Sequence, residues 1–174
     1  MADAPRDPPP QDELEPRLPT LTDLAALCRE LNARNARYLV CGGFAIRAAG
    51  YLRETMGIDL LIDTSLENEA KVYQSLEVLP DRAVSQLDPG DVENYTVVRV
   101  ADEVIVDLMG SAGGIQYAEA SREIIVRDVD GVPIPFASPQ LLWRMKQHTH
   151  REKDRPDLLF LQQLFEADGI TPPE

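Results

Sequence analysis

No stretch of this 174-residue sequence stays apolar for the roughly 18 residues that a helix needs to cross a bilayer. The opening residues, MADAPRDPPP, also lack the apolar core of a secretory signal. Cysteine is scarce, because the chain has only Cys28 and Cys41, in segments with the patterns of a helix and a buried strand. These absences favour a reduced, cytoplasmic setting and argue against a membrane partner.

Positive charge is in short supply, since 17 Lys and Arg stand against 30 Asp and Glu and give a formal net charge of −13. General nucleic-acid binding needs clustered cations that face the phosphate backbone, so this class of function is disfavoured. A nucleoside triphosphate is a different ligand, because a few local cations and a divalent metal suffice to hold it.

The length suits one domain, and a hydrophobic content of 44% is ordinary for a globular protein. Residues 1–19 carry six prolines and no apolar periodicity, which predicts a disordered tail. We expect a core domain over residues 20–137, packed C-terminal helices over residues 138–168, and a short tail over residues 169–174.

Helical and β-type patterns alternate along the core, which predicts an α/β fold. Strands are predicted at about 37–41, 58–63, 95–100, 104–108, 123–129 and 132–136. Helices are predicted from Thr20 or Thr22 to about 35, at 44–49, from Ser65 to about 79, from Ser138 to about 150, and at 154–167. The helix from Ser65 to about 79 is predicted to have an apolar side at Leu66, Ala70, Tyr73, Leu76 and Leu79. Residues 110–114 are predicted to be flexible.

Three features of the core could carry chemistry. The pair Gly42-Gly43 follows a β-type run and precedes a helix, although adjacent glycines alone more often serve a tight turn than a phosphate site. Asp59 lies inside an apolar strand, where an aspartate is costly to bury unless it is ligated, paired or hydrogen-bonded. Asp107 lies in a similar run, and a structural carboxylate is the alternative interpretation for both aspartates.

The segment VCGGFAI at 40–46, together with Gly50, Arg53, Thr55 and GIDLLID at 57–63, resembles the minimal nucleotidyltransferases of bacteria and archaea, including the toxin-like AbiEii type. In that family a Gly-Gly or Gly-Ser turn precedes an Asp-hydrophobic-Asp strand, and here 13 residues separate Gly43 from position 57. LLWRMK at 141–146 and REKDRPDL at 151–158 also look like the closing helices of these proteins. The resemblance covers residues from about 22 to about 165. It implies a mixed, twisted sheet of about five or six strands, flanked by helices and closed by a helical pair.

The resemblance implies metal-dependent transfer of a nucleotidyl group from a nucleoside triphosphate to a hydroxyl acceptor, with Mg²⁺ as cofactor. It makes Asp59 and Asp107 the catalytic metal ligands, with Asp107 as an alternative base. The phosphate-binding residues that it implies are Gly42, Gly43, Arg53, Thr55 and Lys146. For Arg53 and Thr55 the completion of a loop is an equal alternative.

Gly57 departs from the family pattern, because it stands where the first aspartate of the pair is expected. Residues two apart on a strand share a side, so Asp-x-Asp would place two carboxylates in one Mg²⁺ pocket, which glycine cannot do. Glu54 could substitute only after a backbone rearrangement, and Asp63 lies about 13 Å beyond Asp59. Transfer is therefore expected to be impaired or lost. The alternative function is an inactive nucleotide- or protein-binding module, such as a toxin–antitoxin component or a homodimer.

The closing segment holds the one concentration of positive charge, at Arg144, Lys146, Arg151, Lys153 and Arg155. Such a cluster suits a triphosphate or an acidic partner. The alternative is a solvated helix face paired with Glu152 and Asp154. A small-molecule or protein acceptor fits the acidic chain better than RNA does.

Overall fold

The computed structural model describes residues 15–174, so residues 1–14 of the predicted tail lie outside the described part of the chain. The remainder of that tail contacts the domain. The Arg17 backbone N–H donates to the Glu103 carbonyl, and the Arg17 side chain pairs with Asp23 and Glu103. Arg17, within the predicted tail, therefore contacts both the first helix and the turn between two later strands, while the predicted boundary at residue 20 stays a prediction.

Six strands form one mixed sheet: β1 Tyr38–Cys41, β2 Ile58–Ile62, β3 Val98–Ala101, β4 Ile105–Met109, β7 Ile124–Val129 and β8 Val132–Ala137. Their order across the sheet is β3-β4-β2-β1-β8-β7. The central strand β2 is antiparallel to β1 and parallel to β4. A short hairpin of β5 (Ser111–Ala112) and β6 (Ile115–Gln116) occupies part of the segment that was predicted to be flexible. The predicted α/β class, with a mixed sheet of five or six strands flanked by helices, is confirmed.

The helices are α1 Leu21–Ala33, α2 Gly42–Ala48, α3 Leu66–Leu76, α4 Asp91–Asn94, α5 Tyr117–Ala120, α6 Pro139–Lys146 and α7 Arg155–Ala167. Thr20 caps α1 through a capping box with Asp23, in which each side chain accepts a hydrogen bond from the other residue's backbone N–H. The predicted apolar stripe of α1, from Leu24 to Leu31, is buried. Within residues 15–174, no helix combines the length and the apolar character needed to span a bilayer.

The buried face of α3 differs from the predicted one. Leu66 is exposed, and the buried positions include Asn68 and Glu69. Asn68 accepts the Arg37 backbone N–H and donates to two backbone carbonyls, while Glu69 accepts the backbone N–H groups of Gly90 and Val92. These polar side chains are buried because they satisfy loop backbone groups that would otherwise lack partners.

Helix α6 ends at Lys146, four residues before the predicted end. His150 has a left-handed backbone with φ of +53°, and a 3-10 turn at Glu152–Asp154 leads into α7. The Thr149 hydroxyl donates to Asp154 Oδ2 at 2.7 Å, which holds the chain in this turn instead of a continued helix.

Candidate functional site

Three charged side chains lie side by side across one face of the sheet. Asp59 on β2 is the register partner of Asp107 on the parallel strand β4, and Asp107 is the register partner of Arg99 on the antiparallel strand β3. Residues directly opposite each other on neighbouring strands, about 4.8 Å apart, point to the same side of a sheet. We call Asp59, Asp107 and Arg99 the charged row. The two aspartates implied by the family resemblance are therefore neighbours, while their role as metal ligands stays a prediction.

Arg99 engages both carboxylate oxygens of Asp107. Its Nε lies 3.0 Å from Oδ1 and its Nη2 lies 3.1 Å from Oδ2, a two-pronged arrangement that carboxylates and guanidinium groups favour. The Asp107 side chain is 13% exposed and the Arg99 side chain is 62% exposed. Hydrogen bonding to Asp107 raises the pKa of Arg99 above its usual value. The guanidinium of Arg99 thus occupies the side of Asp107 at which the family resemblance implies a metal ion.

Asp59 is packed against the glycine turn. A Cβ atom built on Gly42 would lie only 2.0 Å from Asp59 Oδ2, and Gly42 has a φ of +64°. Burial raises the pKa of Asp59 to about 6, and the charge of Asp107 adds to this rise, while the charge of Lys146 opposes it. Among residues 15–174, the Asp59 carboxylate has no ion-pair partner.

Gly43 is packed against the side chain of Thr55, as Gly42 is packed against Asp59. A Cβ atom on Gly43 would lie 2.4 Å from Thr55 Oγ1, and that hydroxyl donates to the Gly57 carbonyl at 2.9 Å. Close packing with Asp59 and Thr55 therefore accounts for both glycines of the pair. A phosphate-binding role for Gly42, Gly43 and Thr55 remains a prediction.

The two cations predicted to bind phosphate are paired inside the protein. Arg53 donates from Nε and Nη2 to the two oxygens of Asp157, each at 2.7 Å. Lys146 Nζ lies 2.9 Å from Asp154 Oδ1 and 3.3 Å from Asp157 Oδ2. The side chains of Lys146 and Asp157 are only 11% and 1% exposed. These four residues form a buried ion cluster that joins α6 and α7 to the loop before β2.

Two more members of the basic segment have carboxylate partners. Arg151 Nε donates to Asp154 Oδ2 at 2.8 Å, and Arg144 pairs with Glu119 and Glu123. The predicted pairing with Asp154 is therefore observed, whereas Glu119 and Glu123 come from outside the basic segment. Lys153 and Arg155 are exposed.

Position 57 is tightly enclosed by the neighbouring strand. A Cβ atom on Gly57 would lie 3.0 Å from the Ile105 carbonyl oxygen and 3.2 Å from Ile105 Cγ2. Extending the β2–β4 register by one residue beyond Ile58 and Val106 places position 57 beside Ile105, on the same face as Asp59. A carboxylate introduced here would share a side with Asp59, but only after a shift of β4.

We expect Gly57→Ala to lower the free energy of unfolding by about 1 kcal/mol, because β4 must move by a few tenths of an ångström. That strand is paired on both sides, with β2 and β3, which limits its freedom to move. Urea denaturation of the variant and of the parent measures the difference. In a double-mutant cycle, Ile105→Ala should reduce the cost by removing Cγ2; equal or higher stability of the single Gly57→Ala variant would contradict this packing.

The donor set does not fit a pair of Mg²⁺ ions. Position 57 supplies no oxygen, and both oxygens of Asp107 are engaged by Arg99. Within residues 15–174, no group of three or more His, Cys, Asp or Glu side chains is arranged to hold a metal ion. Asp59 alone cannot replace the several oxygen ligands that such a site requires.

Sequence reasoning did not identify Arg99 or Asp157 as part of the site. The hairpin of β3 and β4 offers a signal for Arg99, because its short turn at residues 102–104 sets a register that pairs Arg99 with Asp107. Asp157 offers a weaker signal, as an aspartate one turn before Leu161 on the buried side of α7.

Comparison with family models gave no match, and comparison with curated proteins gave none either. Among solved structures, the chain is similar to a candidate nucleotidyltransferase from Thermotoga maritima, with a TM-score of 0.49, 15% identity, and coverage of 86% of this chain and 88% of that one. It is also similar to an antigenic nucleotidyltransferase-like protein from Paracoccidioides brasiliensis, with a TM-score of 0.49, 18% identity, and coverage of 83% and 76%. At these levels neither structure assigns an activity or a site residue to this chain.

Proposed function

We propose that this chain is a nucleotidyltransferase-type domain that binds a nucleoside triphosphate at the charged row and that, in this form, has lost two-metal nucleotidyl transfer. The observation that carries the proposal is the pairing of Arg99 with both oxygens of Asp107, on a sheet face where position 57 has no side chain. This proposal corresponds to the inactive nucleotide-binding module among the sequence-based alternatives.

The nucleotidyltransferase type is supported by the convergence of the motif residues. Gly42 lies against Asp59, Gly43 lies against Thr55, and Asp59 is the register partner of Asp107, although these positions are distant in the sequence. The order of strand, glycine turn, helix, aspartate strand and second aspartate strand also agrees with the resemblance in the sequence.

The loss of transfer is supported by the chemistry of the remaining ligands. In two-metal transfer the ions stabilise both the attacking and the leaving oxygen, and carboxylates must hold both ions close together. Asp59 is the one carboxylate of the charged row that is not already engaged by a cation. The pKa of Asp59 is raised to about 6, so at mildly acidic pH a fraction of the protein molecules carries a proton on this carboxylate. A protonated carboxyl group is a poor metal ligand.

Nucleotide binding is supported by the exposed cations at the edge of this face. Arg99 is mostly exposed, and only its Nε and Nη2 are hydrogen-bonded to Asp107. A guanidinium has five N–H donors, so three remain for phosphate oxygens. Lys153 adds positive potential near Asp59, and its charge therefore lowers the pKa of that carboxyl group. A few local cations can hold a triphosphate on an otherwise acidic protein.

We expect ATP or GTP to bind the wild-type protein with similar affinity in Mg²⁺ and in EDTA, because the binding cation belongs to the protein. Isothermal titration calorimetry in the two buffers measures this. In parallel, a transfer assay with α-labelled nucleotide and small-molecule or protein acceptors should show no incorporation above a blank, for wild type or for Gly57→Asp. Gly57→Asp is not expected to restore transfer alone, because Arg99 still engages Asp107 and position 57 is enclosed by Ile105.

Two results would overturn this proposal. Mg²⁺-dependent incorporation by the wild-type protein would show that the transfer reaction is intact, and Asp59→Asn should then abolish it. The absence of nucleotide binding in both buffers would remove the nucleotide from the proposal and leave the protein-binding module as the function to test.

A further inference from the structure

We propose that Arg99 replaces a divalent cation at Asp107, so that this carboxylate of the charged row is neutralised without metal and the nucleotide phosphates bind to the guanidinium. This inference rests on the proposed function for the identity of its ligand. It assigns a role to a residue that lies outside the motif of glycines and aspartates.

The first step is geometric. Arg99 reaches Asp107 from the directly opposite position on β3, so its side chain needs no bend of the backbone to make two hydrogen bonds at 3.0 and 3.1 Å. A metal ion at Asp107 would have to occupy the same carboxylate oxygens. Arg99 therefore competes with a metal ion at Asp107, because it uses one lone pair on each carboxylate oxygen and places a positive charge beside them.

The second step concerns charge. Asp59 and Asp107 are register partners on neighbouring strands, and the repulsion between two such carboxylates is the ordinary reason why they attract a divalent cation. The positive charge of Arg99 is close enough to interact with Asp59 as well as with Asp107. One fixed cation thus reduces, at Asp107, the repulsion that a metal ion would otherwise relieve.

The third step concerns the other candidate cations. Arg53 and Lys146 are bound by Asp157 and Asp154 in the buried ion cluster. Arg99 differs from them because it is mostly exposed and has donors that Asp107 does not use. Of Arg53, Lys146 and Arg99, it is therefore Arg99 that can bind a phosphate while it stays paired, and the exposed Lys153 lacks a contact with either aspartate of the charged row among the described residues.

Removal of Arg99 should have opposite effects on anions and on metal ions. In Arg99→Ala, the freed Asp107 and its neighbour Asp59 should bind Mn²⁺ about tenfold more tightly than the wild type does, because a positive charge within about 4 Å is removed. The fall of the free Mn²⁺ signal in electron paramagnetic resonance measures this without any nucleotide. In EDTA, the same variant should bind ATP about tenfold more weakly than the wild type.

Arg127→Ala is a matched control, because Arg127 is an exposed arginine on β7, at the opposite edge of the sheet from β3. Arg127→Ala removes one positive charge from the chain, as Arg99→Ala does, but it leaves the contact between Arg99 and Asp107 intact. The Mn²⁺ affinity of Arg127→Ala should therefore equal that of the wild type. Arg99→Gln serves as a second variant and should also gain Mn²⁺ binding. Thermal melting by circular dichroism checks that each variant is folded.

The inference is overturned if Arg99→Ala and Arg99→Gln bind Mn²⁺ no better than wild type, or if Arg127→Ala gains as much as they do. Failure of the proposed function gives a different result. In that case wild type binds no ATP in either buffer, while the Mn²⁺ comparison still decides whether Arg99 occupies the place of a metal.

Discussion

Asp157→Ala is expected to lower the free energy of unfolding by about 3 to 5 kcal/mol, the usual cost of removing one partner from a buried ion pair. Asp157 accepts both hydrogen bonds of Arg53 and lies 3.3 Å from Lys146 Nζ, with almost no exposure to solvent. Without it, Arg53 would lose its carboxylate partner, and Lys146 would keep only Asp154 among the described residues, which also pairs with Arg151. Urea denaturation at neutral pH measures the loss.

Glu166→Ala is the matched control for Asp157→Ala. Glu166 is a carboxylate on the same helix, but it is exposed, and its side chain accepts a hydrogen bond only from Gln162 among the described residues. Its removal should change stability by no more than about 0.5 kcal/mol. Similar losses in the two variants would mean that the buried ion cluster does not hold α7 against the loop before β2.

Asp59→Asn is expected to stabilise the protein at pH 8 by up to about 3 kcal/mol, at about 1.4 kcal/mol for each unit of its pKa shift. Burial first, and then the charge of Asp107, raise the pKa of Asp59 to about 6 from the ordinary value of 3.8. The folded protein therefore binds a proton at Asp59 more tightly than the unfolded chain does. Ionisation of Asp59 opposes folding, and asparagine removes that cost.

The pH dependence has a definite sign. Between about pH 4 and pH 6 the folded state holds more protons at Asp59 than the unfolded state, so the contribution of Asp59 to stability falls as pH rises through this window. The stability of Asp59→Asn, relative to wild type, should therefore increase from pH 4 to pH 6 and then stay level. Denaturation curves at a series of pH values measure this difference.

Asp63→Asn provides a control of opposite sign, immediately after the same strand. Hydrogen bonding from the Ser65 backbone N–H lowers the pKa of Asp63, so its carboxylate contributes stability above its unfolded pKa and loses it as pH falls. Asp63→Asn should thus destabilise the protein at pH 8. If Asp59→Asn is also less stable than wild type at pH 8, the burial cost assigned to Asp59 is wrong.

Local sequence patterns predicted much of the fold. Ser65 and Ser138 are predicted as helix caps, with Thr20 or Thr22 for the first helix, and the side chains of Thr20, Ser65 and Ser138 each accept a backbone N–H in the first turn. Caps and strands follow from neighbouring residues, because side-chain period and turn chemistry act over a few positions. The face of α3 could not be predicted in this way, because Asn68 and Glu69 are buried to satisfy the backbone of distant loops.

For the candidate site too, residue types and local patterns follow from the sequence, whereas the pairing of charges depends on the fold. The sequence by itself determined that position 57 supplies no carboxylate, that a glycine pair precedes the aspartate strand, and that Asp59 and Asp107 lie within apolar strands, because these follow from residue type and local pattern. Only the tertiary structure decided which charges neutralise one another. Arg53 meets Asp157 across 104 positions, and Arg99 meets Asp107 through the register of a hairpin. Ion pairing depends on distances of a few ångströms between side chains, which the folded arrangement of strands and helices sets.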